Sequence, residues 1–308
     1  MPGGNRLESV KTDQLEWFHA TSNKAEVIDK LRTKFRFHPI DLRDVQPPIQ
    51  RPKVVARDGY IFMILLYPFF DKDTHEIRIS EVDFFISKNY LVTVNTDGLT
   101  PLRKLFQSSR ASKGRHVCLT GDITQLLYAI LNDLLTSVFP KLVNINADME
   151  SIERRLNDPY QKHLINDILR IKLNVVNFRQ AMQAHKAVMT RLLDIAPSFF
   201  PLNKLNAYFR ELIQHTKEIW DQLELQRDEI EALHETNKSL IDFRTNDIIK
   251  TLTIFSVIVF PLTLLAAMFG MNVPVPFQDH AYGFLIITGI MLLGSAGMMV
   301  YFKIKKWI

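Results

Sequence analysis

Between residues 246 and 267, stepping by three and four, stand Asn246, Ile249, Thr253, Ser256, Phe260, Thr263 and Ala267. At 3.6 residues per turn these positions share one face of a helix. Amide and hydroxyl groups alternate along it with bulky apolar ones. None of these side chains titrates near neutral pH, so the stripe offers hydrogen bonding and steric narrowing rather than proton transfer or nucleophilic attack. In an otherwise lipid-like helix, such a stripe either ties helices together by hydrogen bonds or faces water. Both need neighbouring copies of the helix, and a pore would have to be built by an oligomer. Gly270-Met271-Asn272 follows, which alone reads as a glycine-ended helix with an amide in the turn.

Enzyme chemistry finds little footing elsewhere. His234-Glu235 has Lys238 where a zinc-binding helix would place its second histidine, and no glycine-rich phosphate loop is present. The single cysteine, Cys118, has no disulfide partner in the chain and no evident base in sequence, and the nine histidines are scattered. A formal charge of +5, with bases interleaved among acids, gives no basic stripe for nucleic acid.

The segments that must position the stripe are strongly apolar. Thr251 to Phe269 and Ala281 to Phe302 carry no charge, and each is long enough to cross about 30 Å of hydrocarbon as a helix. The N-terminal stretch is charged throughout with no apolar run, so it is not expected to act as a signal peptide. Arg244 and Lys250 precede the first span, and Lys303, Lys305 and Lys306 follow the second. The link between them has no Lys or Arg. The positive-inside bias therefore places both termini in the cytoplasm, with Tyr282, Tyr301 and Trp307 as interfacial anchors.

The remainder reads as an α+β body followed by helices. Residues 8–20 and 23–35 suit short helical or mixed segments, with Asn23 and Glu26 as a capping box. Strands are expected over Pro52 to Ala56, Tyr60 to Phe70, Ile77 to Phe85 and Tyr90 to Asn95, in a largely antiparallel sheet ending near Val117. Helical periodicity follows over 121–156, 159–195 and 202–250. From Lys204 no Pro or Gly intervenes until Pro261, so one helix from 204 to 269 would be about 100 Å long. Its seam reads as Tyr208, Leu212, His215, Ile219, Leu223, Ile230, Leu233 and Leu240.

Gly270-Met271-Asn272 closing the first of two C-terminal spans, the short outer link, and the lysine-rich tail Lys303 to Ile308 together resemble the CorA family of divalent metal transporters. Residues 246–272 are similar to the family's stretch from stalk to signature, and Asp83 to Asn95 (DFFISKNYLVTVN) resembles its cytoplasmic strand pair. The resemblance implies a homopentameric funnel in the inner (plasma) membrane. Residues 1–120 would form an α+β cytoplasmic domain, 121–203 a helical region and 204–247 the stalk. Residues 248–270 would be the pore-lining span, 271–280 the outer loop, 281–302 the second span and 303–308 a basic tail.

It further implies that Gly270, Met271 and Asn272 form the selectivity ring for hydrated Mg²⁺ or Co²⁺. Asn246 and Thr263 would be polar pore rings, with Ile249, Leu252 and Phe260 as apolar constrictions. The stripe chose Thr253 where the resemblance points to Leu252. Members close when Mg²⁺ occupies cytoplasmic carboxylate sites. The stalk offers Glu211, Glu218, Asp221, Glu224, Asp228 and Glu235, of which Glu211 is the first candidate. The outer loop departs from the pattern in having Asp279 as its one acid. A zinc transporter of the same superfamily, and a membrane scaffold or sensor with the same fold, are the alternatives.

Overall fold

Alternation of apolar side chains builds the sheet. In the computed structural model, which describes residues 7–12, 15–97, 99–111, 121–156, 163–200, 206–271, 274, 276–277 and 281–307, six strands run in the order β1-β2-β6-β5-β4-β3. They are β1 (Leu7–Lys11), β2 (Glu16–Ala20), β3 (Lys53–Arg57), β4 (Tyr60–Asp71), β5 (Glu76–Ile86) and β6 (Tyr90–Val94). All neighbours are antiparallel except β2 and β6, which pair in parallel from Glu16↔Tyr90 to Ala20↔Val94. Residues 8–20, expected to be helical or mixed, thus supply two strands. β1 pairs with β2, and the second partner of β2, β6, lies some seventy residues away, where no local periodicity registers it.

Strand side chains alternate between two faces. One carries Phe18, Phe62, Ile64, Phe85, Val92 and Val94 and is covered by α1 (Ala25–Phe35) and α2 (Pro39–Asp44). The other carries Trp17, His19, Met63, Leu65, Tyr67 and Phe84. There Trp17 meets Phe106 of α3 (Thr100–Ala111) edge-on, and Tyr67 meets His185 of α7 (His185–Ile195) edge-on. Helices on both faces bury the centre of the sheet, which is why β4 reads as a continuous apolar run. Asn23 is not the cap of α1. Lys24 holds that position with no side-chain bond, and the Asn23 amide donates to the Val45 carbonyl at 3.1 Å.

The two central helical segments each divide. Residues 121–156 form α4 (Ile123–Thr136) and α5 (Phe139–Arg155), separated at Ser137-Val138 just ahead of Pro140. The described part of 159–195 forms α6 (Leu164–Met182) and α7. Asn174 and Asn177 of α6 bind the Ile77 N–H and carbonyl at 2.8 and 2.9 Å, which fastens the helices to β5. Ile123–Arg155 is apolar enough to cross a membrane, but 44% of its most apolar window is buried against the rest of the chain. Its apolar positions, Leu126, Leu127, Ile130, Leu131, Leu134 and Leu135 among them, are packed inside the N-terminal unit.

One helix, α8 (Asn206–Phe269), carries 64 residues without interruption, Pro261 included. The chain divides into two compact units, Met1–His234 and Glu235–Ile308, with the boundary inside α8. In the first unit α8 buries Phe209, Leu212, Thr216, Ile219, Leu223, Gln226, Ile230 and Leu233, spaced alternately by three and four. This seam takes Phe209 and Thr216 where the sequence pattern suggested Tyr208 and His215. It also includes Gln226, whose amide donates to the Leu142 carbonyl at 2.9 Å. The second unit contains the rest of α8 and α9 (Gly283–Ile304).

Candidate pore helix

The C-terminal part of α8 has two unlike faces. Ile254, Ile258, Leu262, Leu265 and Phe269 are buried or half-buried and follow one another by three and four. On α9 the half-buried or buried positions Thr288, Met291, Ser295, Met298 and Phe302 repeat in the same way, the pattern of two helices packed along a seam. At about 100° per residue, the stripe from Asn246 to Ala267 centres about half a turn away from the α8 seam. Asn246, Ile249, Thr253, Phe260, Thr263 and Ala267 are all exposed, and Ser256 is half-buried. Leu252 and Thr253 flank the centre of that face on either side, both exposed. Both α8 and α9 are long and apolar enough to cross a membrane, with 6% of each apolar window buried.

The hydroxyls of the stripe are internally committed. Thr253 donates to the Ile249 carbonyl at 2.8 Å, Ser256 to Leu252 at 2.9 Å and Thr263 to Val259 at 2.9 Å. Each donor is spent within its own helix, which leaves the oxygen lone pairs as acceptors on the exposed side. A face of acceptors suits the outward-pointing hydrogens of a cation's water shell.

At the helix end the Gly270 N–H is shared between the Ala266 and Ala267 carbonyls at 3.0 and 3.2 Å. A Cβ at this position would stand 3.3 Å from the Ala266 oxygen, closer than ordinary contact, so glycine suits the tight last turn. Met271 follows, exposed. Asn272 lies outside the described residues.

Farther up α8, Glu211 is 55% exposed, with His215 Nε2 4.0 Å away. Among the other stalk acids, Glu224 pairs with Arg179 and Arg227, Asp228 with Arg227, and Glu218 accepts from Gln214. Among the described residues no group of three His, Cys, Asp or Glu side chains is disposed to hold a metal ion within one chain. Sequence reasoning passed over Glu81 and Asp83 of β5. Their signal was a carboxylate in phase with Phe85, on a face otherwise apolar.

A family model described as CorA-like Mg²⁺ transporter protein matches residues 12–306. The chain is 27% identical over 297 residues to the cobalt/magnesium transport protein CorA of Thermotoga maritima, covering 95% of this chain and 83% of that protein. It is also 27% identical over 309 residues to the putative metal ion transporter YfjQ of Bacillus subtilis, covering 98% and 93%. Among solved structures, the complete CorA magnesium transporter from Methanocaldococcus jannaschii superposes with a TM-score of 0.83 at 23% identity, covering 98% of this chain and 95% of that one.

Proposed function

The chain belongs to the CorA family of divalent metal transporters, and on that premise we propose that it is a Mg²⁺ channel, able to pass Co²⁺, assembled as a homopentamer in the inner (plasma) membrane. The C-terminal part of α8 and all of α9 are its two spans, with both termini in the cytoplasm. The exposed stripe of α8 lines the pore, and α9 forms the outer ring. What carries this reading is the stripe itself: a polar face half a turn from the packed seam, with its hydroxyl hydrogens turned inward and its acceptors outward.

Selection follows from the ion's chemistry. Mg²⁺ gives up its first-shell water reluctantly, so a ring of Asn272 amide oxygens at the outer mouth recognises the hydrated ion by accepting from its waters. Gly270 allows the close turn before it, and Met271, exposed in the single chain, packs the loop once copies assemble. Asn246 and Thr263 are further polar rings. Ile249, Leu252 and Phe260 narrow the path and close it by excluding water. Entry is downhill: a divalent ion gains about 4.6 kcal/mol per 100 mV of inside-negative potential, from about 2.3 per charge.

Apolar side chains on α6 favour assembly. Ile165, Leu169, Leu173 and Val176 are exposed and spaced by three or four, a surface that neighbouring copies would cover. Closure by cytoplasmic Mg²⁺ is assigned to carboxylates brought together between copies, Glu211 first among them. Potential-driven Mg²⁺ uptake by proteoliposomes containing the full chain tests the proposal, and uptake no faster than through protein-free liposomes overturns it.

A further inference from the structure

A second feature lies where α8 docks within the N-terminal unit. Its buried positions, from Phe209 through Leu223 and Gln226 to Leu233, step alternately by three and four, a repeat of seven residues. Such a seam is nearly degenerate along its axis. A slip of one turn, about 5.4 Å, brings Leu223 or Ile230 to the place held by Gln226 and exchanges apolar for apolar along most of the remainder.

The contacts around the seam do not select the register either. Arg179 of α6 pairs with Glu224 at 2.5 Å and lies 5.3 Å over the Trp220 ring. Asp221 and Asp228 stand three residues before Glu224 and four after it, so a slip of one turn in either direction still presents an acid to Arg179. Phe209 against Tyr128 and His215 against Phe139 are ring contacts, whose places Leu212 and Ile219 would take after a slip. Thr216 donates to the Ile213 carbonyl of its own helix at 2.7 Å, a bond that any register keeps.

Gln226 differs from all of these. Its amide donates across the seam to the Leu142 carbonyl at 2.9 Å and to Asn146 Oδ1 at 2.5 Å, two acceptors one turn apart on α5. Only one axial position of α8 brings it to both. The bonds come with a penalty, because Gln226 is 2% exposed and its Oε1 is buried without a partner among the described residues. A half-satisfied buried amide is less stabilising than an apolar side chain of similar volume.

We propose that Gln226 is a positioning residue, a polar pin that fixes the axial register of α8 against α5 at a cost in stability. A single buried polar side chain sets register in the same way where helices pack through apolar layers. The pin acts within the N-terminal unit and does not depend on transport. On the pore reading, it is what any axial movement of α8 has to overcome.

Thermal unfolding of the full chain in detergent tests the pin, with Gln226→Met as a variant close in volume. Gln226→Met should unfold at a higher temperature than the wild type: the stranded Oε1 is gone, the Leu142 carbonyl lies inside the ladder of α5, and Asn146 is exposed and turns to water. Double-mutant cycles then read the register. In the wild type, Arg179→Gln should couple to Glu224→Gln and not to Asp221→Asn or Asp228→Asn. In the Gln226→Met background the coupling to Glu224 should fall several-fold and a coupling to one of the two aspartates should appear. If Gln226→Met does not assemble, Gln226→Leu provides the same comparison. A midpoint at or below that of the wild type, or coupling that stays wholly with Glu224, overturns the proposal. Neither readout measures ion flux, so failure here is distinct from failure of the pore.

Discussion

Ile254 and Thr263 lie nine residues apart on α8, two and a half turns at about 100° per residue, so they point in opposite directions: Ile254 is buried and Thr263 is exposed. That opposition separates a packed face from a free one on a single helix. In the proposed assembly, copies of the chain would place this free face, with its hydroxyls and amide, toward water.

Phe260 projects from the free face and is 71% exposed. As a ring it would close the path by dewetting, so Phe260→Asn should admit water and raise Mg²⁺ leak several-fold under conditions that close the wild type, whereas Phe260→Leu should not. Uptake by the Asn variant equal to the wild type would remove Phe260 from the gate.

Glu211 is exposed, and its near neighbour His215 is a weak competitor for its carboxylate. In Glu211→Ala, inhibition of uptake by millimolar Mg²⁺ on the cytoplasmic side should weaken by several-fold in concentration. An inhibition curve identical to the wild type would place regulation elsewhere.

Asp41 has no solvent exposure. It accepts from Arg57 Nε and Nη2 at 2.9 and 2.6 Å and from the Tyr60 hydroxyl at 2.7 Å. Arg57 is a quarter exposed and stays partly solvated without Asp41, but the buried Tyr60 hydroxyl loses its acceptor, at about 1–3 kcal/mol. Asp41→Ala should therefore lower the thermal unfolding midpoint markedly, and Tyr60→Phe should cost about 1 kcal/mol. Equal midpoints for Asp41→Ala and wild type would contradict the packing described for this face.

Burial lowers His19 and His185 from 6.5 to about 4, with backbone contacts opposing the shift in each. The unfolded chain takes up protons at both near pH 6.5 while the folded chain does not until about 4. Their stabilisation is thus present above pH 6.5 and lost as pH falls toward 4, by up to about 3 kcal/mol per histidine. Asp83, raised by burial, acts with the opposite sign and costs stability as pH rises through its folded pKa. Because the two effects overlap, the histidine part is read as a difference: between pH 6.5 and 5 the wild type should lose more stability than His185→Gln, and the same pH dependence in both would contradict the burial of His185.

Much of the architecture was legible in the sequence because its signals are local. The continuous apolar run from Tyr60 to Phe70 and the alternation from Ile77 to Phe85 marked β4 and β5, and the uncharged runs marked the C-terminal helices. What escaped depends on distant partners. β2 is a strand because Glu16 to Ala20 lie beside Tyr90 to Val94, and Asn23 leaves its capping role because the Val45 carbonyl is within reach. The break at Gln183-Ala184 between α6 and α7 has neither Pro nor Gly to announce it. The exposed stripe of α8 was readable from spacing alone.

The most direct measurement is Mg²⁺ uptake into proteoliposomes under an inside-negative potential, wild type beside Asn272→Ala, with Zn²⁺ run in parallel and assembly of both proteins checked by size. The expected result is Mg²⁺ uptake by the wild type and its loss in an Asn272→Ala variant that still assembles. Undiminished uptake by that variant, or a wild type that moves Zn²⁺ and not Mg²⁺, would contradict the account.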